Sequence, residues 1–240
     1  MNESLLLANL PFTEAKRLEP YLEATPMGFR QTLLEQGEPI KYVWFPHDAV
    51  TSTIVDTPEG TTIEVGLMGM EGMVGLSLLL NVSESNTTVI VQVAGRGTRM
   101  RADHFLKHVV EEGGELFVRL LRYTNAFMAM VAQTAACNSL HSVDQRLARW
   151  LLMTHDRVQR DDFPLTHEFL AFMLGVRRPS VSVAANALLQ NGYIKYTRGH
   201  IQVLDRKALE EVVCPCYGIV SNLMQSALST DHRGSTTIVS

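Results

Sequence analysis

Residues 165–191, LTHEFLAFMLGVRRPSVSVAANALLQN, constrain the fold of this chain more than any other stretch. Thr166 is a good N-cap, and Glu168 puts a negative charge in the first turn, where the helix dipole favours it. Phe169, Leu170, Met173 and Leu174 form an apolar stripe at helical spacing. Gly175 stands where this helix must stop, because glycine adopts positive φ without steric cost. After Val176 and Arg177 a second helix begins, with Pro179 in its first turn, where a missing N–H does no harm. Val181, Ala184, Ala185 and Leu188 give it an inward face, and Arg178, Ser182 and Asn186 a polar outward one. A short helix, a glycine-bearing turn and a second helix with a hydrophilic outer stripe predict a helix-turn-helix.

Local charge points the same way. The chain has a formal net charge of -4 and a pI near 6.1. Yet no Asp or Glu occurs from Phe169 through Leu204, while Arg177, Arg178, Lys195 and Arg198 all fall in that window. A basic island in an acidic chain is the electrostatic footprint of a DNA-contacting surface, and it excludes wholesale coating of nucleic acid. Downstream, Tyr193–Tyr196 read as a strand, Arg198-Gly199 as a turn, and Ile201, Gln202 and Val203 as the return strand. That hairpin makes the unit a winged helix, with Lys195, Arg198 and His200 near its tip.

The rest of the chain supplies a second unit. At 240 residues and 46% hydrophobic, the chain is long enough for one or two domains with a sizeable core. The start lacks a basic n-region, no run approaches a membrane span, and the three cysteines are too few for a disulfide framework. These features predict a cytoplasmic protein with no membrane contact. Residues 5–23 read as a helix, capped by Thr13 and burying Ala15, Leu18 and Leu22. Residues 27–101 have β character, with turns at Glu35–Pro39, Pro58-Glu59-Gly60 and Gly95-Arg96-Gly97. Many short strands of this kind predict an antiparallel barrel or jelly roll. Within them the run GMEGMVGL can either cradle an anion on converging backbone N–H groups or turn a barrel corner.

Residues 103–112 read as a short helix and residues 115–139 as a long one. Leu116, Leu120, Tyr123, Phe127, Met130 and Val131 form one apolar seam of the long helix. Phe117, Leu121, Met128 and Ala132 form another. Two apolar faces need two partners: the β domain, and the same helix of a second subunit. The first seam is expected at the dimer interface. A hinge is expected at 138–142, where Ser142 and Gln145 make a capping box. Beyond it, Arg146, Arg149, Arg157 and Arg160 with nearby aspartates are expected to form a solvated, salt-bridged face.

The order of helix, β domain, long helix, hinge and winged helix resembles the bacterial Crp/Fnr family of transcription regulators over nearly the whole chain. The residues that carry the resemblance most specifically are LTHEFLAFMLGVRRPSVSVAANALLQNGYI and the wing, with EVGLMGMEGMVGL in the β region. The resemblance implies an α+β chain in four parts. A cyclic-nucleotide-binding-like antiparallel β jelly roll senses a signal over 1–112, and a dimerisation helix and hinge span 113–140. A winged helix-turn-helix binds DNA over 141–228, and a tail expected to be disordered fills 229–240. It also implies a homodimer on a palindromic double-stranded operator, with RNA polymerase as a further partner. Arg177, Arg178, Pro179, Ser180, Ser182 and Val183 fall where the family's recognition helix meets DNA, and Thr166, His167 and Arg198 flank it. Arg178 matches an arginine that commonly reads guanine. Pro179 replaces a frequent acidic reader and Val183 a frequent basic one, which implies a different operator preference.

The effector region departs further. Gly72, Met73, Gly75, Asn86 and Thr87 occupy the family's ligand site. Met73 stands in the position of a ribose-binding glutamate, and no arginine lies between Gly69 and Gly95. A cyclic phosphate would lose its strongest charge-assisted contact there, so cyclic AMP is not expected to bind in the standard manner. The oxygen-sensing branch of the family holds an iron–sulfur cluster on N-terminal cysteines, which this chain lacks. The cofactor or effector is thus left unnamed, and no metal site is assigned. His104 and His108 are spaced to share a metal but are read as a solvated helix face. Cys214 and Cys216, flanking a proline, can form a redox switch or bind a metal with outside help, or can be plain helix residues. The methionines at 128, 130 and 173 are read as core filling. No G-x-S-x-G elbow or P-loop occurs, so an enzymatic reading has no residue set behind it. The rival reading is a ligand-sensing or scaffold module whose winged helix contacts protein instead of DNA.

Overall fold

The structure is a computed structural model that describes residues 4–8, 10–56, 62–197 and 199–229. The expected turn at Pro58-Glu59-Gly60, Arg198, and the tail from residue 230 lie outside the described residues.

The opening helix is shorter than its sequence predicts. Helix α1 covers Phe12–Leu18 and passes into a 3₁₀ turn at Glu19–Tyr21. Pro11 sets its start and Pro20 stops its α-geometry, so Thr13 lies inside the first turn and caps nothing. Seven strands follow: β1 (Glu23–Met27), β2 (Thr32–Leu34), β3 (Tyr42–Pro46), β4 (Val50–Asp56), β5 (Thr62–Met68), β6 (Thr88–Val93) and β7 (Gly95–Arg101). They form two antiparallel sheets, ordered β1-β7-β3 and β2-β6-β4-β5. Val43 pairs with Met100 in the first and Thr53 with Val89 in the second. The inward faces meet over Met27, Val43, Phe45, Val91 and Met100, all buried. This is the expected antiparallel jelly-roll architecture.

The run Gly69–Leu76 turns a corner. Trp44 and Val74 exchange backbone hydrogen bonds across it, and Gly75 enters a 3₁₀ turn with φ 101°. At Gly72 a side chain has no room, since a Cβ would lie 2.3 Å from the Tyr123 hydroxyl oxygen.

Helix α2 (Ala102–Phe105) winds into a π-helical turn at Leu106–Glu111, in place of one regular helix over 103–112. After two glycines comes helix α3 (Glu115–Leu140). Its first turn is capped from another element. The Glu14 carboxylate accepts from the backbone N–H groups of Glu115 and Leu116 at 2.8 and 3.0 Å, at the positive end of the helix dipole. Leu116, Leu120, Tyr123, Ala126 and Met130 are buried against the protomer's own core. This corrects the expected dimer interface: Leu116, Leu120, Tyr123 and Met130 are already fully covered, and Phe127 and Val131 are half-buried. The exposed stripe runs instead through Val118, Leu121, Asn125, Met128, Ala132 and Ala135, spaced alternately three and four residues apart. Met130 and Met173 do fill the core, but Met128 is 56% exposed.

Helix α4 (Val143–Val158) opens with the expected capping box of Ser142 and Gln145. Its arginines are not a solvated face. Arg146, Arg149 and Arg157 are all buried, because α4 is clamped between the β domain and the C-terminal helices. Arg157 pairs with Glu71 at 2.7 Å, Arg146 donates to the Leu174 carbonyl, and Arg149 donates to Thr134 Oγ1 at 2.7 Å. A polar seam thus joins the two units: Trp150 Nε1–H donates to Glu64 at 3.0 Å, and Gln92 Nε2–H to Thr154 Oγ1 at 3.3 Å.

The remaining elements are β8 (Asp162–Pro164), α5 (His167–Leu174), α6 (Arg178–Gln190), β9 (Ile194–Thr197), β10 (His200–Val203), α7 (Arg206–Val212) and α8 (Cys216–Leu228). β8, β10 and β9 form a three-stranded antiparallel sheet in that order, and α8 packs along α3. Among the described residues no helix is long and apolar enough to cross a membrane.

Candidate nucleic-acid interface

The described residues between 166 and 203 build one surface that carries Arg177, Arg178 and Lys195 exposed. Thr166 Oγ1 accepts from the Phe169 N–H at 3.1 Å and so starts α5. Gly175, at φ 60°, ends it, and its neighbour Ile63 on β5 leaves just enough room for the turn. Pro179 occupies the first turn of α6. Phe169, Leu170, Met173 and Leu174 from α5 close on Val181, Ala184, Ala185 and Leu188 from α6, every one buried. That burial fixes the rotation of α6. Its opposite face therefore points outward: Arg178, Pro179, Ser180, Val183 and Asn186 are exposed, together with Arg177 at its N-cap.

Each expected DNA-contacting residue among the described ones has a definite place. Arg177, Arg178, Pro179, Ser180 and Val183 cluster on the outer N-terminal end of α6, and Val183 is 72% exposed. Neither arginine forms an ion pair among the described residues, so both guanidinium forks are available. Ser182 is half-buried, its Oγ sharing a hydrogen bond with His167 Nδ1 at 3.2 Å. His167 stacks on Tyr196 of the wing with ring centroids 4.4 Å apart. Burial, and then the charge of Arg178, lower the pKa of its imidazole. His167 and Ser182 thus lock α5, α6 and the wing together, and Thr166 spends its hydroxyl on the cap. Arg198 lies outside the described residues. The wing is tied to α5 by the Leu165 N–H, which donates to the Gly199 carbonyl at 2.6 Å. The strand β8 on its far edge has no signal in the sequence beyond Phe163, which alternates with polar neighbours. His200 faces Asp162 at 3.4 Å, which leaves Lys195 as the exposed cation of the wing strands.

The expected effector site is a cavity of about 250 Å³ between the glycine corner, the 85–87 loop and α3. Met73, Gly75, Asn86 and Thr87 line it, and among the described residues that line it none is charged. Gly72 does not reach it, being pressed under Tyr123. The sequence reading missed the helix side of this cavity, where Thr124, Phe127, Met128 and Val131 contribute. Their helical spacing was the available signal. His104 and His108 do not converge on a ligand: both rings stack on Tyr21, and His108 Nδ1 bonds Glu112 at 2.9 Å.

Residues 145–212 match the Crp-like helix-turn-helix domain family. No curated protein matches the chain in sequence. Among solved structures, FixK2 from Bradyrhizobium japonicum is similar with a TM-score of 0.68 at 13% identity, covering 80% of this chain and 98% of its own. A CRP-family transcriptional regulator from Thermus thermophilus gives 0.64 at 20% identity, covering 78% and 95%. The c-di-GMP-responsive global regulator CLP of Xanthomonas campestris gives 0.62 at 12% identity, covering 80% and 99%.

Proposed function

Starting from a chain that carries a Crp-like helix-turn-helix domain within the fold of Crp/Fnr transcription regulators, we propose a homodimeric, sequence-specific DNA-binding regulator acting in the cytoplasm. The observation that carries this reading is the exposed, unpaired Arg177–Arg178 pair at the N-terminal end of α6, in a stretch without a single carboxylate. An arginine fork there suits the O6 and N7 acceptors of guanine in the major groove. Two copies, paired through the exposed heptad stripe of α3, would address half-sites about 34 Å apart on a palindrome. RNA polymerase is the natural further partner of such a regulator.

The sensor cavity suits a small, largely uncharged molecule and not cyclic AMP held in the standard manner, because its walls carry no cation for a phosphate. Phe127, Met128 and Val131 belong both to the cavity and to α3, Met128 on the proposed dimerisation stripe and the other two beside it. A ligand seated there would press on the helix that sets the spacing of the two reading heads.

The test is selection of bound duplexes from a random pool, followed by affinity measurements across salt. Recovery of a palindromic site, bound by a dimer with steep salt dependence, supports the reading. A monomer with no preference among duplexes at physiological ionic strength overturns it. A saturable thermal shift with micromolar cyclic AMP would overturn the cavity assignment alone.

A further inference from the structure

The last turn of α3 and the junction between α7 and α8 bring four ligating side chains to one point. Cys137 lies in the last turn of α3 and His141 is the extended residue that caps its C-terminus, while Cys214 and Cys216 flank Pro215 at the start of α8. Cys137 Sγ is 3.5 Å from Cys214 Sγ, and Cys216 Sγ is 3.6 Å from His141 Nδ1. All four ligand atoms lie within 4.8 Å of one another. The three cysteines are buried and form a cluster of their own with Val213, apart from the main core.

We propose that Cys137, His141, Cys214 and Cys216 form a closed tetrahedral site for one zinc ion, which fastens the terminal helix to the dimerisation helix beside the hinge at Ser142. Geometry is the first argument. Zinc–sulfur and zinc–nitrogen bonds of about 2.3 and 2.0 Å place the corners of a tetrahedron roughly 3.5–3.8 Å apart. The Cys137–Cys214 and Cys216–His141 separations fall at that spacing, and the remaining ones lie within 4.8 Å. Three soft thiolates and one imidazole favour zinc over calcium or magnesium, and four protein ligands leave no open position for catalysis.

The surroundings are the second argument. Arg146 and Arg149 are buried on α4 facing this cluster, each within reach of its charge. Neither forms an ion pair with a carboxylate among the described residues, although the charge of Arg149 also reaches the buried Glu64, and the Nε of each lacks a hydrogen-bond acceptor. Buried cations need counter-charge, and a zinc ion on three thiolates and a neutral imidazole carries a net negative one. Gln133 Nε2–H also donates to Cys216 Sγ at 3.1 Å, the kind of outer contact that steadies a thiolate ligand. This replaces the sequence expectation of no metal. The outside help that the Cys-Pro-Cys pair lacks comes from Cys137, 77 residues before Cys214, and His141, 75 residues before Cys216.

The test uses the full-length chain, reduced, stripped with a chelator and titrated anaerobically with Co²⁺. The expected result is one Co²⁺ per chain, with the visible bands of tetrahedral cobalt and near-ultraviolet thiolate-to-cobalt charge transfer. Zn²⁺ should then bleach both. In the zinc-loaded chain all three thiols should resist a thiol reagent until chelator is added. His141→Ala removes a half-exposed ligand and should leave the thermal transition of the stripped chain unchanged. It should weaken cobalt affinity by at least the roughly 10–100-fold loss seen when an outer contact is removed. Cys137→Ser and Cys214→Ser should each abolish the tetrahedral spectrum, while the His104→Ala/His108→Ala pair should leave it intact. An octahedral spectrum, a stoichiometry unaffected by all three ligand variants, or thiols that close into a disulfide without binding metal when reduced would overturn the proposal.

Discussion

Arg157 on α4 and Glu71 at the glycine corner form an ion pair at 2.7 Å with both side chains buried, and this pair is the charged core of the contact between the β domain and the helix-turn-helix unit. The aliphatic stem of Arg157 also covers Gly69, where a Cβ would lie 2.7 Å from its Cγ. The Arg157 Nε–H donates to the same carboxylate oxygen at 2.8 Å, and Nη1 to the Met153 carbonyl at 2.8 Å.

Removing one partner strands the other. Glu71→Ala should destabilise the chain by about 3–5 kcal/mol, since the guanidinium stays buried without its counter-charge. Glu71→Leu combined with Arg157→Met should recover most of that loss. Urea midpoints of the single and double variants measure it, and a single variant as stable as the parent would refute the assigned role.

The same seam is sensitive to pH through Glu64. Burial raises its carboxyl to about 7, against the opposing hydrogen bonds from Ser52 and Trp150 and the charges of Arg149 and Arg157. The folded chain therefore holds the neutral acid where the unfolded chain ionises. Glu64's contribution is fully present below pH 4.5, falls as pH rises through the window from 4.5 to about 7, and is gone above it. Glu64→Gln should flatten that slope of stability against pH. Denaturation curves at pH 5 and pH 8 for both proteins decide the matter, and equal slopes would exclude Glu64 as the source.

In the proposed dimer, adjacent residues on α3 should separate dimerisation from folding. Leu121 is 43% exposed on the heptad stripe, whereas Leu120 is fully buried in the protomer. Leu121→Glu should give a folded monomer, because two carboxylates would meet across the two-fold axis at a cost above about 3 kcal/mol. Leu120→Glu should fail to fold. Sedimentation velocity with circular dichroism reads both, and a Leu121→Glu protein that remains dimeric would move the interface elsewhere.

On the reading surface, Arg178 and Lys195 should behave differently. Arg178→Ala should cost about 1–3 kcal/mol in specific binding and relax preference at one base position. Lys195→Ala should weaken all duplexes alike and lower the salt slope by about one. Fluorescence anisotropy on a selected site and its single-base variants tests the contrast. If Arg178→Ala keeps the full base preference, the arginine does not read sequence.

The helix-turn-helix was legible because its signals are local. The Thr166 cap, the Gly175 stop, Pro179 in a first turn and the inward stripes each follow from backbone geometry and helical spacing, and residue neighbours suffice to state them. The jelly roll was legible as a class for the same reason, through short alternating strands and turn residues. What tertiary structure alone decided is which of several equivalent faces becomes buried. Period marks two apolar seams on α3 but not which one meets the β domain, so Leu116–Met130 and the stripe through Leu121 exchanged roles. Charge marks Arg146, Arg149 and Arg157 as polar but not that α4 is enclosed on both sides. The Cys137–His141–Cys214–Cys216 cluster was beyond any local pattern, because its halves meet only when α8 lies back along α3. Short-range geometry is written residue by residue, while the choice among faces belongs to the packing of whole elements, where burial of apolar area outweighs any single residue's preference.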